Sequence, residues 1–214
     1  MKVAVSRLHF PVTALGPGRR VGLWFQGCSI RCPGCISVDT WDAGIGETAV
    51  ANLLDAIDTL AADADGLTVS GGEPFGQPEA LAEVLRFWRR RYTGSVLVYT
   101  GHELGDVEPW LGENQGLIDG LMTGPFRADL SQTMALRGSD NQRLHVLSPL
   151  GREFAPFDRP AGKKDRTLDV MFDDQGRAWL AGIPARGDLA HLRRALSAAG
   201  HEVQMSDSIR NLPR

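Results

Sequence analysis

At 214 residues with 43% hydrophobic side chains, the chain can form one domain, or one domain with an appendage, around a real core. A formal net charge of -3 offers no basic surface of the kind that holds nucleic acid, so no nucleic-acid partner is expected. The first ten residues hold no long apolar run, so neither a signal peptide nor a membrane span is expected, and reduced cysteines point to the cytoplasm.

Taken in chain order, residues 21–26 predict a buried strand that ends at a cysteine loop. Residues 48–64 predict a helix with Val50, Leu53, Leu54, Ile57 and Leu60 on one face, closed at Gly66. Residues 66–70 read as a short strand running into Gly71, Gly72, Glu73 and Pro74. Pro78 opens a second helix with Leu81, Val84, Leu85 and Trp88 on one side, and Arg89, Arg90 and Arg91 end it. Those arginines read first as a solvated helix end and second as a docking patch. Strands follow at 95–100, 117–123 and 143–147. Strands alternating with helices predict a parallel α/β sheet, with too few units for a closed eightfold barrel, so an incomplete (β/α) barrel is expected. Each motif falls just after a strand, where such sheets collect their chemistry.

Residues 148–165 are rich in Pro, Gly and charge and read as a linker or long loop. The division is therefore expected at 149/150: a core over 1–149, then a linker and a small α/β appendage over 150–214. Residues 167–172 and 177–181 flank a hairpin signal at 173–176. Leu189, Leu192 and Leu196 stripe a helix ending at Gly200, and residues 202–205 read as a last strand, giving a ββαβ tail.

Cys28, Cys32 and Cys35 are the chain's three cysteines, spaced C-x3-C-x2-C. A disulfide with a spare thiol would suit a secreted chain, and nothing else here does. A structural zinc wants a fourth ligand, and the nearest histidines are His9 and His102. Arg31, Pro33 and Gly34 make the loop a poor core strand. Three clustered thiolates can instead bind three irons of a cubane and leave the fourth iron open to another ligand.

A Gly-Gly turn alone is usually just a turn. Behind this cysteine triplet, however, Gly71-Gly72-Glu73-Pro74 resembles the signature of the radical S-adenosylmethionine (SAM) superfamily. The run from Gly16 to His145, including Thr40-Trp41, Tyr99-Thr100-Gly101, residues 117–126 and Arg137 to Gln142, resembles its glycyl-radical activating branch, as in anaerobic ribonucleotide reductase activating proteins. The resemblance implies a [4Fe-4S] cluster on Cys28, Cys32 and Cys35 and SAM on its open iron. It implies that Ser70, Gly71, Gly72 and Glu73 meet the SAM amino group, and that Thr100 and Gly101 line the adenosine. Thr123 would face the ribose, where the family usually has Asp. Trp24 and Phe25 are read as core or cluster-shielding residues. His102 reads as an exposed loop histidine, with a role in the site as the second reading; Arg137, Asn141 and Gln142 read as partner contacts or as residues that order the loop, with a capped turn as the plain alternative.

The implied function is hydrogen abstraction from a glycine of a partner protein, with an external one-electron donor such as flavodoxin and no membrane. Two other readings stand beside it. One is a radical SAM enzyme acting on a small molecule or peptide recognised by the tail. The other is a cluster-bearing regulatory subunit without turnover.

Overall fold

The computed structural model describes residues 1–172 and 177–202. Among these, strands β1 (Lys2–Val12), β2 (Arg20–Phe25), β3 (Glu47–Ala49), β4 (Gly66–Gly71), β5 (Ser95–Tyr99), β6 (Gly120–Thr123) and β7 (Arg143–Val146) form one mixed sheet. Their order is β3-β1-β2-β4-β5-β6-β7. The four central strands β2, β4, β5 and β6 are parallel, and β1, β3 and β7 add antiparallel flanks. The α/β class follows from this order.

Helices α1 (Val50–Leu60), α2 (Pro78–Arg91) and α3 (Leu104–Glu113) connect the strands. The residues predicted to stripe the first two helices are largely buried, and they meet Val21, Leu23, Phe25, Leu67, Val69, Val96 and Val98 in the main core. Residues 48 and 49 are not helical as expected, because they pair with Lys2 and Val3 of β1. Helix α3 was not expected, since Gly105, Pro109 and Gly112 blur its period, yet Trp110 seats on Phe75 edge-to-face and donates to the Pro78 carbonyl at 3.2 Å. At the end of α2, Arg89 is no solvated cation. It donates to the Leu117 carbonyl at 3.0 Å and pairs with the buried Asp119 at 2.5 Å.

The opposite face of the sheet, by strand alternation, carries Arg20, Trp24, Thr68, Leu97, Tyr99 and Met122. Residues 148–165, expected as a linker or long loop, bring Phe154 and Phe157 onto it. Leu150–Phe157 forms 3-10 turns that bury Phe154 completely against Leu97, Met122 and Leu136. Arg20 is fully buried beneath Phe154 and is satisfied by Thr68 Oγ1, Ser95 Oγ and the carbonyls of Leu67 and Ser95. Burial nevertheless pulls its pKa down to about 10. No loose segment therefore separates the expected core from residue 150 onward. One aromatic side chain, masked by Pro and charge around it, makes the difference.

Beyond it, β8 (Leu168–Phe172) and β9 (Ala178–Gly182) form an antiparallel pair, followed by α4 (Asp188–Ala198). Met171 and Ala181 pack with Trp24, Val12 and Leu15. Asp169 accepts from Thr13 N at 2.7 Å and Ala14 N at 2.9 Å. The leucine stripe of α4 is only half-buried. The expected turn at 173–176 lies outside the described residues, as does the expected last strand from residue 203 on. No described helix is long and apolar enough to cross a membrane.

Candidate functional site

The cysteine loop leaves the end of β2 and is turned by left-handed residues: Gly27 (φ 96°), Arg31 (φ 50°) and Gly34 (φ 77°). The amide of Cys35 donates to the Cys32 carbonyl at 3.1 Å, which closes the second turn. Residues 37–41 then wrap behind the loop. Gly27 N donates to Thr40 O at 2.8 Å, Cys28 N to Trp41 O at 3.1 Å, and Ser37 N to the Cys35 sulfur at 3.4 Å. The Trp41 side chain also bonds that sulfur. All three thiols are free and half-exposed. Burial pushes the Cys32 and Cys35 thiols up, and the charge of the neighbouring cysteines adds to the rise. Among the described residues no three His, Cys, Asp or Glu side chains converge on a single ion. A cubane makes no such demand, since each thiolate takes its own iron, and an all-thiolate donor set suits iron–sulfur chemistry. The residues present fit the cluster.

Next to this loop stands the end of β4. The glycines there serve the protein's own backbone. A Cβ on Gly71 (φ 109°) would lie 2.4 Å from Phe25 N, and one on Gly72 would lie 2.2 Å from Gly27 O. Gly72 N donates to Phe25 O and Glu73 N to Gly27 O, both at 2.8 Å, so the turn is locked to the start of the cysteine loop. Glu73 is 1% exposed. Its carboxylate accepts from Phe75 N at 3.0 Å, Thr100 Oγ1 at 2.9 Å and Gly101 N at 2.9 Å. Burial raises its pKa, and these donors oppose the rise. Ile30 of the cysteine loop fills the space beside Gly101, and the Phe126 amide bonds the Cys32 sulfur. Loops after β2, β4, β5 and β6 thus meet at the carboxyl ends of the parallel strands. Ile30 and Phe126 were passed over in the sequence because apolar loop residues carry no chemical signature.

The family of 4Fe-4S single cluster domains matches residues 14–145. The anaerobic ribonucleoside-triphosphate reductase-activating protein of Salmonella typhi is 32% identical over 148 residues, 65% of this chain and 96% of that protein. The chain belongs to the radical SAM superfamily, in its glycyl-radical activating branch. The pyruvate formate-lyase-activating enzyme of Clostridium pasteurianum is 35% identical over 98 residues, 44% of this chain and 41% of that protein. A crystal structure of QueE from Escherichia coli aligns at 17% identity and a TM-score of 0.39, over 47% of this chain and 53% of that one, an overlap too small to bear on the fold. The chain is accordingly a radical SAM enzyme, with a [4Fe-4S] cluster and SAM as its cofactors.

Other residues singled out in this radical SAM enzyme take mixed places. Ser70 stays half-buried at the end of β4. Thr100 receives the His102 amide at 3.1 Å, while the His102 ring is partly exposed beside Asp106. Thr123 is 1% exposed and shares a 2.9 Å hydrogen bond with His145 Nε2. Trp24 and Phe25 are core residues on opposite faces. Arg137 pairs with Asp158 at 2.5 Å. Asn141 Nδ2 donates to Pro125 O at 2.8 Å and Gln142 Nε2 to Gly124 O at 3.1 Å, so this pair orders the loop after β6. His145 was missed, because only the β6–β7 pairing brings it to Thr123.

Proposed function

We propose that Cys28, Cys32 and Cys35 each hold one iron of the cluster, and that the chain acts on a glycine of a partner protein. When bound, a [4Fe-4S] cluster and SAM would supply reductive cleavage of SAM and hydrogen-atom abstraction, with the electron coming from an external one-electron donor. The chain's residues bind and shield. Glu73 holds Thr100 and Gly101 against the end of β4, and its Oε2, with one donor in place, retains a lone pair for the SAM amino group. Ser70, Gly71 and Gly72 form the wall of that contact, and Thr100 and Gly101 the adenosine side. Thr123, with its hydroxyl on His145, stands toward the ribose.

The observation that carries this reading is the meeting of three free thiols with the Glu73–Thr100–Gly101 network at one end of the sheet. The relatives named above as activating proteins support the partner-directed role. Anaerobic incubation of the reconstituted protein with SAM and a chemical reductant tests it. Slow 5′-deoxyadenosine release alone, and a protein-borne radical once a glycyl-radical enzyme is added, are expected. Replacing any one of Cys28, Cys32 or Cys35 with Ala removes the cluster signal and all SAM cleavage. Loading with a single zinc and no colour would sink the proposal.

A further inference from the structure

The segment behind the cysteine loop is held by a side chain from a neighbouring strand. Asp39 lies in the Val38–Thr40 turn, in the middle of the residues that bond Gly27, Cys28 and the Cys35 sulfur. Its carboxylate pairs with the guanidinium of Arg7 on β1. The two side chains are only 14% and 22% exposed, so solvent screens this pair far less than a surface bridge.

The other side of the same guanidinium faces the tail. It lies 4.4 Å from the centre of the Trp179 ring on β9 and 5.7 Å from that of Trp24. A cavity of about 170 Å³, lined in part by Arg7, His9, Met171, Phe172 and Trp179, opens beside it. Arg7 Nε is buried with no partner among the described residues. Asp39 and the two indoles are therefore the contacts that orient the guanidinium.

We propose that Arg7 is a positioning residue through which the β8–β9 hairpin sets the cysteine loop, gripping Asp39 on one side and Trp179 on the other. The proposal rests on the reading that Cys28, Cys32 and Cys35 hold the cluster. Without the guanidinium, Asp39 is a half-buried carboxylate without its counter-ion, and the 37–41 turn moves toward water. The bonds from Ser37 and Trp41 to the Cys35 sulfur loosen with it. Such bonds fix ligand orientation and tune cluster potential.

The test uses the full chain, reconstituted anaerobically, with Arg7→Met, Trp179→Ala, Trp179→Phe and their double variants. Arg7→Met and Trp179→Ala should load the wild-type amount of iron but release it to excess chelator about 10-fold faster. Their cluster midpoint potentials should move in the negative direction, since donors to sulfur stabilise the reduced state. The pair should be non-additive, because both act through one contact. Trp179→Phe, which keeps a ring face, should stay near wild type. Asp39→Asn carries the same test where Arg7→Met fails to fold. Wild-type release and potential in Arg7→Met and Asp39→Asn would overturn the proposal, as would release that rises only in step with lost thermal stability of the apo-protein. A wild-type chain that takes up no iron would overturn the cluster reading and this proposal together, which distinguishes the two failures.

Discussion

Glu73 does two jobs at residue scale, and they are separable. It is the acceptor for Thr100, Gly101 and Phe75, and the proposed acceptor for the SAM amino group. Glu73→Gln keeps the shape but removes the charge. We expect iron content to hold while SAM affinity drops by about 10-fold or more, in line with roughly 1.5–3 kcal/mol for a charge-assisted hydrogen bond. Equilibrium binding to the loaded protein checks this, and parallel loss of iron would make Glu73 purely structural. His145 offers a pH-dependent test. Burial depresses its pKa below 6.5, with the positive charges of Arg137 and Arg143 adding to the effect. The unfolded chain then binds the proton more readily. The contribution is present above pH 6.5 and is lost as pH falls through the lower folded value. Urea denaturation between pH 7 and pH 5 should show stability falling on acidification, and His145→Gln should flatten that slope. The cysteine triplet stood out in the sequence because spacing within one loop does not need a fold, and Glu73 stood out only through the family resemblance. His145 was not, because its partner is set by strand register.

Among the elements, the 3-10 turns at Leu150–Phe157 carry more than their composition announces. Phe154 fills the space under Gly120 and Leu97, where a Cβ on Gly120 would lie 2.5 Å from its ring. Phe154→Ala should cost about 3–5 kcal/mol, the range for emptying an aromatic site in a core. Chemical denaturation of the apo-protein measures it, and a loss under about 1 kcal/mol would mean the turns are only draped over the sheet. The same packing bears on the tail as a whole. A chain ending at Pro149 would leave Leu97, Met122 and Trp24 uncovered and Arg20 without Phe154 above it. We expect it to aggregate rather than to cleave SAM as a free-standing core. A well-behaved truncation with full cluster loading would restore the division at 149/150.

Across the whole molecule, the sequence by itself determined the α/β class and, through family resemblance, the [4Fe-4S] and SAM cofactors. The first follows from apolar period and the second from motifs in chain order that resemble the family's, both of which survive without knowledge of long-range contacts. Tertiary structure alone decided the rest. It paired β1 with both β2 and β3, turned Gly71 and Gly72 against their own backbone, and set Arg7 between Asp39 and Trp179. It also converted an apparent linker into the cover of the sheet's second face. The physical reason is common to all of these. Each depends on which surfaces meet across long stretches of chain, and burial energy there outweighs the local preferences that composition reports.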